Sequence, residues 1–166
     1  GNWYTPLFAT STMDLGPGNG YWVRNKQTGA AQTSYFGGLV QTTEVSVDVD
    51  VDVDAGITIL HMMGQPLAAD VPLDETGTTL WADGALGSTT DAGADEIWVW
   101  DTPTSSYKKA FLLVGYGAPF DGNWYTPLFA PTDIVLNKGM GWLYRSKPDT
   151  ARAGVPSWQW TEPVPY

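Results

Sequence analysis

Valine alternates with polar residues from Val45 to Asp54, and this period of two is the strongest constraint on the fold. Only an extended strand places alternate side chains on opposite faces. The valines therefore face a core and the aspartates face solvent. The phase continues to Ile59, and one strand from Glu44 to Ile59 would span roughly 53 Å at ~3.3 Å per residue, which is too long for a compact domain. We expect the run to break at residues 55–56 or to bridge between modules or subunits.

Other segments also predict strands. Residues 97–100 and 107–114 flank a segment rich in Thr, Ser and Pro, which indicates a β-hairpin. Short aromatic strands follow glycine-rich turns at residues 20–24 and 141–145. Helical spacing with capping residues is absent. The sequence predicts an all-β fold, an antiparallel β-sandwich or barrel of about nine to eleven strands.

An internal repeat organises the chain. The motif Gly-Asn-Trp-Tyr-Thr-Pro-Leu-Phe-Ala occupies residues 1–9 and again residues 122–130. The match continues without a gap at Leu15, Gly18, Gly20, Arg24 and Lys26, which correspond to Leu136, Gly139, Gly141, Arg145 and Lys147. We infer a duplicated half-module.

The duplication divides the chain into unequal parts. Residues 1–54 form the first copy of a C-terminal half-module, and residues 55–166 form a complete β module. Within that module, residues 55–121 are the N-terminal half and residues 122–166 the second copy. The first copy lacks an opening half, so it exposes strand edges. These edges either pack on residues 55–121 in a closed monomer or add strands to another subunit.

Four short motifs occur in a characteristic order: an apolar strand with a Gln-Pro-Leu turn at residues 56–67, a Glu-Ile-Trp-Val-Trp strand at 95–101, a Gly-Asn-Trp element at 122–124, and Gly-x-Gly-aromatic elements at 18–23 and 139–144. This order resembles a tandem β-repeat module of large, mostly uncharacterised secreted bacterial surface proteins. The resemblance implies an extracellular or cell-surface location and tandem β-architecture. It implies no catalytic residues.

Composition excludes several functions. The chain has 18 acidic and 8 basic residues and a formal net charge of −10, which disfavours binding to nucleic acid. The absence of cysteine excludes disulfides, thiolate metal sites and cysteine nucleophiles. No apolar stretch is long enough for a membrane-spanning helix, so we expect no membrane insertion.

The acidic face of the alternating run is a candidate calcium site. Its carboxylates are Asp48, Asp50, Asp52 and Asp54. Neighbouring carboxylates about 6.6 Å apart repel by roughly 0.6 kcal/mol in water and about 2.5 kcal/mol at a dielectric constant near 20. Water and screening, a salt ladder to lysines 108–109, or Ca²⁺ can offset this repulsion. We expect no transition metal and no other cofactor.

Nine tryptophans supply a second candidate site. Trp98 and Trp100 share one face of a strand, and so do Trp158 and Trp160. Core packing is one explanation, since each ring can bury roughly 150–250 Å². An exposed, coplanar pair would instead form a platform for sugar rings, or an interface covered by a partner subunit.

The residue patterns do not indicate an enzyme. His61 is the only histidine, no nucleophile-elbow motif is present, and the acidic residues are not paired in a recognisable catalytic context. The sequence favours an extracellular structural protein, a self-associating β-rich subunit of a filament, tube or surface layer, and so a homo-oligomer or homopolymer. The alternative is a non-catalytic carbohydrate-binding module that holds a polysaccharide on exposed aromatic rings.

Overall fold

The computed structural model describes residues 10, 16–18, 20, 43–53, 56–77, 81–150 and 156–163. Within these ranges the chain is all-β, as the sequence predicts. The strands are β1 Val45–Asp50, β2 Ile59–Gly64, β3 Val71–Pro72, β4 Glu96–Asp101, β5 Ser106–Leu113, β6 Asn123–Tyr125, β7 Val135–Leu136, β8 Gly141–Ser146 and β9 Ser157–Glu162. A short 3₁₀ helix spans Leu73–Glu75. In the described ranges, no helix has the length and hydrophobicity needed to cross a membrane.

The strands form three antiparallel sheets. The largest has the order β2-β8-β4-β5-β6, and the others pair β1 with β9 and β3 with β7. Trp142 and Tyr144 of β8 face Trp160 and Trp158 of β9, with ring centroids 5.0 Å and 5.5 Å apart. The five-stranded sheet therefore packs on the β1–β9 pair across a tryptophan-rich core, an arrangement consistent with a β-sandwich.

Strands β4 and β5 form the predicted hairpin. Asp101 pairs with Ser106 and Trp100 pairs with Tyr107 across the turn. Strand β8 confirms the second of the two short aromatic strands. The first, at residues 20–24, lies outside the described residues after Gly20.

The alternating valine run separates into two strands of different sheets. Strand β1 ends at Asp50 and β2 begins at Ile59. Within β1 and just beyond it, Val49 and Val51 are buried while Asp48 is exposed, which confirms the predicted faces. The run forms two strands and not one long strand, because β1 pairs with β9 and β2 pairs with β8. The unbroken alternation along this run therefore does not indicate one strand that extends to another subunit.

Both copies of the Gly-x-Gly motif contact β2. Gly64 donates its N–H to the Gly18 carbonyl at 2.8 Å, and Gly20 donates to the Met62 carbonyl at 2.9 Å. On the opposite edge, Gly64 pairs with Gly141 of β8. The first copy therefore covers the free edge of β2 within the chain at this point, as the closed arrangement requires. Most of residues 1–42 lie outside the described residues, so the division into half-modules stays a prediction.

Candidate functional site

The outward face of the five-stranded sheet carries an aromatic cluster. In β4, Ile97 and Val99 point into the core, whereas Trp98 is half-buried and Trp100 is 48% exposed. Directly paired residues of an antiparallel sheet share a face, and Tyr107 of β5 is paired with Trp100. Trp98, Trp100 and Tyr107 therefore lie on the face of the sheet that points away from the core.

These rings border a cavity that we call the aromatic groove. It has a volume of about 160 Å³, and its lining includes Met62, Trp98, Trp100, Tyr107 and Leu143. The Tyr107 ring lies 5.9 Å from Trp98 at an interplanar angle of 47° and 5.1 Å from Trp100 at 75°. The three rings do not form one flat plane, so the groove has the shape of a cleft rather than a platform.

Two cations lie beside the groove. The Lys109 Nζ atom is 4.1 Å from the centroid of the Trp98 ring, and the Arg145 guanidinium is 5.4 Å from it. Both distances suit cation–π contacts. Arg145 also binds Glu96 at 2.6 Å. The Glu96 carboxylate therefore offsets the charge of Arg145, and the Lys109 ammonium is the positive charge that lies over the Trp98 ring.

A second surface feature is the loop at residues 126–130, which we call the apolar turn. The Thr126 N–H donates to the Ala130 carbonyl at 2.8 Å, and the Phe129 N–H donates to the Thr126 carbonyl at 2.9 Å. The Thr126 hydroxyl accepts a third bond from the Ala130 N–H at 3.2 Å. Phe129 has a φ of 60°, a conformation that is uncommon outside glycine and is held here by these bonds. The turn is therefore defined by its own hydrogen bonds.

The apolar turn displays a leucine to solvent. The Phe129 ring packs edge-on against Phe111 and Tyr116, with centroids 5.7 Å and 6.3 Å apart. Leu128 beside it is 89% exposed. A leucine held outward on an anchored turn contributes almost nothing to the core, and we interpret the turn as a candidate contact surface.

The repeat strengthens this interpretation. Residues 127–130 are all exposed, yet the same four residues recur at 6–9 in the first copy. Burial accounts for the repeated tryptophan at Trp124, which is 1% exposed. It does not account for the apolar residues at the exposed positions 127–130 of the same motif. The sequence identifies the repeat, whereas the exposure of this part of it follows only from the structure.

The structure places the two predicted tryptophan pairs differently. Trp158 and Trp160 are 8% and 0% exposed because β9 presents them to β8 across the core. They are core residues and form no exposed interface or glycan platform in the described fold. The aromatic surface is built from Trp98, Trp100 and Tyr107 instead.

The acidic strand shows contacts within the chain rather than a cluster of carboxylates. Asp48 accepts a hydrogen bond from Gln159 at 3.2 Å, and Asp52 accepts one from the Ile57 N–H at 3.0 Å. Asp50 is exposed, and Asp54 lies outside the described residues. Across the ranges given above, no three His, Cys, Asp or Glu side chains lie close enough together to hold a metal. With Asp54 outside the description, the calcium site stays a prediction.

The lysines considered for a salt ladder lie on β5, in a different sheet from β1. Lys108 binds Asp133 at 2.8 Å. This hydrogen bond raises the pKa of Lys108 and lowers the pKa of Asp133. Lys109 lies over Trp98. Both lysines therefore lie in the five-stranded sheet, with contacts to Asp133 and Trp98.

A buried carboxylate that sequence reasoning missed is Asp95, which is 1% exposed. It accepts hydrogen bonds from the Tyr144 hydroxyl at 2.6 Å, the Lys147 N–H at 2.7 Å and the Leu86 N–H at 2.9 Å. These bonds fix the loop before β4 to the end of β8. The role of Asp95 in the described fold is structural.

A second buried acid is Glu162 at the end of β9, which is 2% exposed. The Trp160 Nε1–H donates to one of its oxygens at 3.0 Å. Burial raises the pKa of Glu162 to about 7, and the Trp160 hydrogen bond opposes that rise only in part. Glu162 therefore changes charge near neutral pH inside the protein.

Comparison of the chain with family models, with curated proteins and with solved structures gives no match. The resemblance to secreted tandem-repeat modules therefore stays a prediction from short motifs.

Proposed function

We propose that this protein is a non-catalytic, extracellular structural protein whose subunits self-associate into a filament, tube or surface layer. The observation that carries the proposal is the apolar turn, which holds Leu128 at 89% exposure and recurs in identical sequence in the first copy. Extracellular location is supported by the motif order described above.

The energetic argument is the burial of apolar surface. Complete burial of a leucine or aromatic side chain stabilises a protein by about 1.5–3 kcal/mol. Leu128, Trp100 and Tyr116 are all at least 48% exposed in the single chain. Contacts that cover several such side chains in each subunit supply a driving force for association.

The test is sedimentation velocity of the full chain over a wide concentration range, with negative-stain electron microscopy of the same samples. We expect the mass to rise with concentration and regular assemblies to appear. Ile57→Ser serves as a control, because Ile57 is 61% exposed but belongs neither to the apolar turn nor to the lining of the aromatic groove. A chain that sediments as a monomer at every concentration would refute self-association.

The carbohydrate-binding alternative is supported by one observation, the exposure of Trp100 beside Tyr107 at the aromatic groove. The tilt of these rings suits a flat sugar ring less well than a coplanar pair would. Affinity electrophoresis in gels that contain soluble polysaccharides tests it, with Trp100→Ala as the matched variant. A monomer that a polysaccharide retards, and that Trp100→Ala releases, would favour this alternative over the structural proposal.

A further inference from the structure

We infer that the contact between subunits is heterologous: the apolar turn of one subunit inserts Leu128 into the aromatic groove of the next. This inference rests on the proposed self-association and names the two surfaces that meet. The occupant of the groove is thus a second copy of this chain.

Size and chemistry match. An apolar cavity of about 150 Å³ is large enough to take a molecule of benzene, and the groove has a volume of about 160 Å³. It therefore accommodates one branched aliphatic side chain such as that of Leu128. Its walls are the apolar surfaces of Met62, Leu143 and Trp100, which gain dispersion contacts with an inserted leucine.

The two surfaces lie in different parts of the same sheet face. Phe129 anchors the turn on Phe111 of β5, beside β6. The groove lies over β2, β8, β4 and the start of β5. At 89% exposure, Leu128 does not fill the groove of its own chain. A contact between two different surfaces leaves one of each free, so it propagates into a filament or closes into a ring.

The charges at the two surfaces are complementary. The Asp121 carboxylate accepts hydrogen bonds from the backbone N–H groups of Gly115 and Tyr116 at 2.9 Å and 2.8 Å, and these bonds hold the pKa of Asp121 below its usual value. Because Tyr116 contacts Phe129, this negative charge lies on the turn side. Lys109 supplies positive charge at the groove, over the Trp98 ring, whereas the charge of Arg145 is offset by Glu96. Opposite charges orient two strongly acidic subunits for the head-to-tail contact.

The turn is also preformed. Three hydrogen bonds within residues 126–130 fix its backbone, and two aromatic rings hold Phe129. A segment already in its bound shape loses little conformational entropy on association. This rigidity suits an inserted element better than a flexible loop would.

The experiment uses two variants of the full chain with complementary defects. Leu7→Ser combined with Leu128→Ser alters the turn sequence in both copies, and Trp100→Asp places a charge at the groove. We expect each variant alone to sediment as a monomer under conditions where the wild type polymerises. A 1:1 mixture should form complexes that stop at two or three subunits, because one variant keeps the groove without the two leucines and the other keeps the two leucines without the groove. Ile57→Ser should polymerise as the wild type does.

Other outcomes overturn the inference in distinguishable ways. If the variants polymerise as the wild type does, self-association stands but this contact is wrong. If both are monomers and the mixture stays monomeric, the turn and the groove do not bind each other. A monomeric wild type whose tryptophan fluorescence changes with Leu7→Ser would indicate that the first copy fills the groove within its own chain, and both proposals fail. Where a variant does not melt as the wild type does, Leu7→Ala combined with Leu128→Ala, or Trp100→Ala, replaces it in the same assay.

Discussion

Replacement of Glu162 by glutamine should remove a loss of stability that the wild type undergoes near neutral pH. Glu162 is 2% exposed, and its pKa rises from 4.5 to about 7 in the folded chain, chiefly through burial. Between these values the folded protein keeps a proton that the unfolded chain has released. The contribution of the neutral Glu162 carboxyl to the free energy of unfolding is therefore complete below pH 4.5 and is lost as the pH rises to about 7.

The magnitude follows from that difference. A rise of about 2.5 pKa units corresponds to about 3 kcal/mol, at 1.36 kcal/mol per unit. Glutamine stays neutral at every pH and keeps an oxygen that can accept the Trp160 Nε1–H bond. Relative to the wild type, Glu162→Gln should therefore gain about 3 kcal/mol between pH 4 and pH 8.

Urea unfolding followed by tryptophan fluorescence at half-unit pH intervals measures this effect. With a slope of about 1–3 kcal/mol per molar urea, the midpoint difference between variant and wild type should change by about 1–3 M across the range. The other carboxylates contribute equally to both proteins and cancel. Glu44→Gln, which removes an exposed carboxylate next to β1, is the control and should follow the wild type. Parallel pH profiles for wild type and Glu162→Gln would show that the buried carboxyl does not titrate as argued.

Three further substitutions test the fold. Asp95→Asn should cost about 3 kcal/mol, measured by urea unfolding, because an amide cannot accept all of the bonds that the carboxylate accepts; an unchanged midpoint would contradict this. Trp160→Ala should cost about 3–5 kcal/mol, seen as a lower melting temperature, since this ring is fully buried. Gly20→Ala should increase proteolysis of residues 1–42, because a Cβ at residue 20 would collide with the Met63 carbonyl. At the equivalent Gly141 a Cβ lies 3.7 Å from that oxygen, so Gly141→Ala is the matched control. Equal cleavage of Gly20→Ala and Gly141→Ala would argue against the packing of the first copy on β2.

Local patterns in the sequence predicted several elements of the fold. The alternation from Val45 predicted which side chains of β1 face the core, and the turn residues between β4 and β5 predicted the hairpin. Each of these features depends on neighbours within a few residues, where side-chain direction and turn geometry follow directly from residue type. The repeat showed that the two Gly-x-Gly segments correspond to each other in sequence, although only the structure showed that both contact β2.

The candidate site could be predicted only in part, because alternation says which side chains share a face and not what lies opposite that face. Trp98 and Trp100 have the same spacing in sequence as Trp158 and Trp160, yet the second pair lies in the core and the first borders a groove. The exposure of Leu128, the burial of Asp95 and the division of the valine run between two sheets depend in the same way on distant partners.

The sequence by itself determined that this chain is all-β, which residues share each strand face and where its repeated motif lies. The tertiary structure decided which of those faces became core and which stayed at the surface. The physical reason is that the backbone of a strand fixes the alternation of its side chains locally, whereas burial requires a second sheet that packs against one face. That choice is made by contacts between segments far apart in the chain, such as β8 with β9.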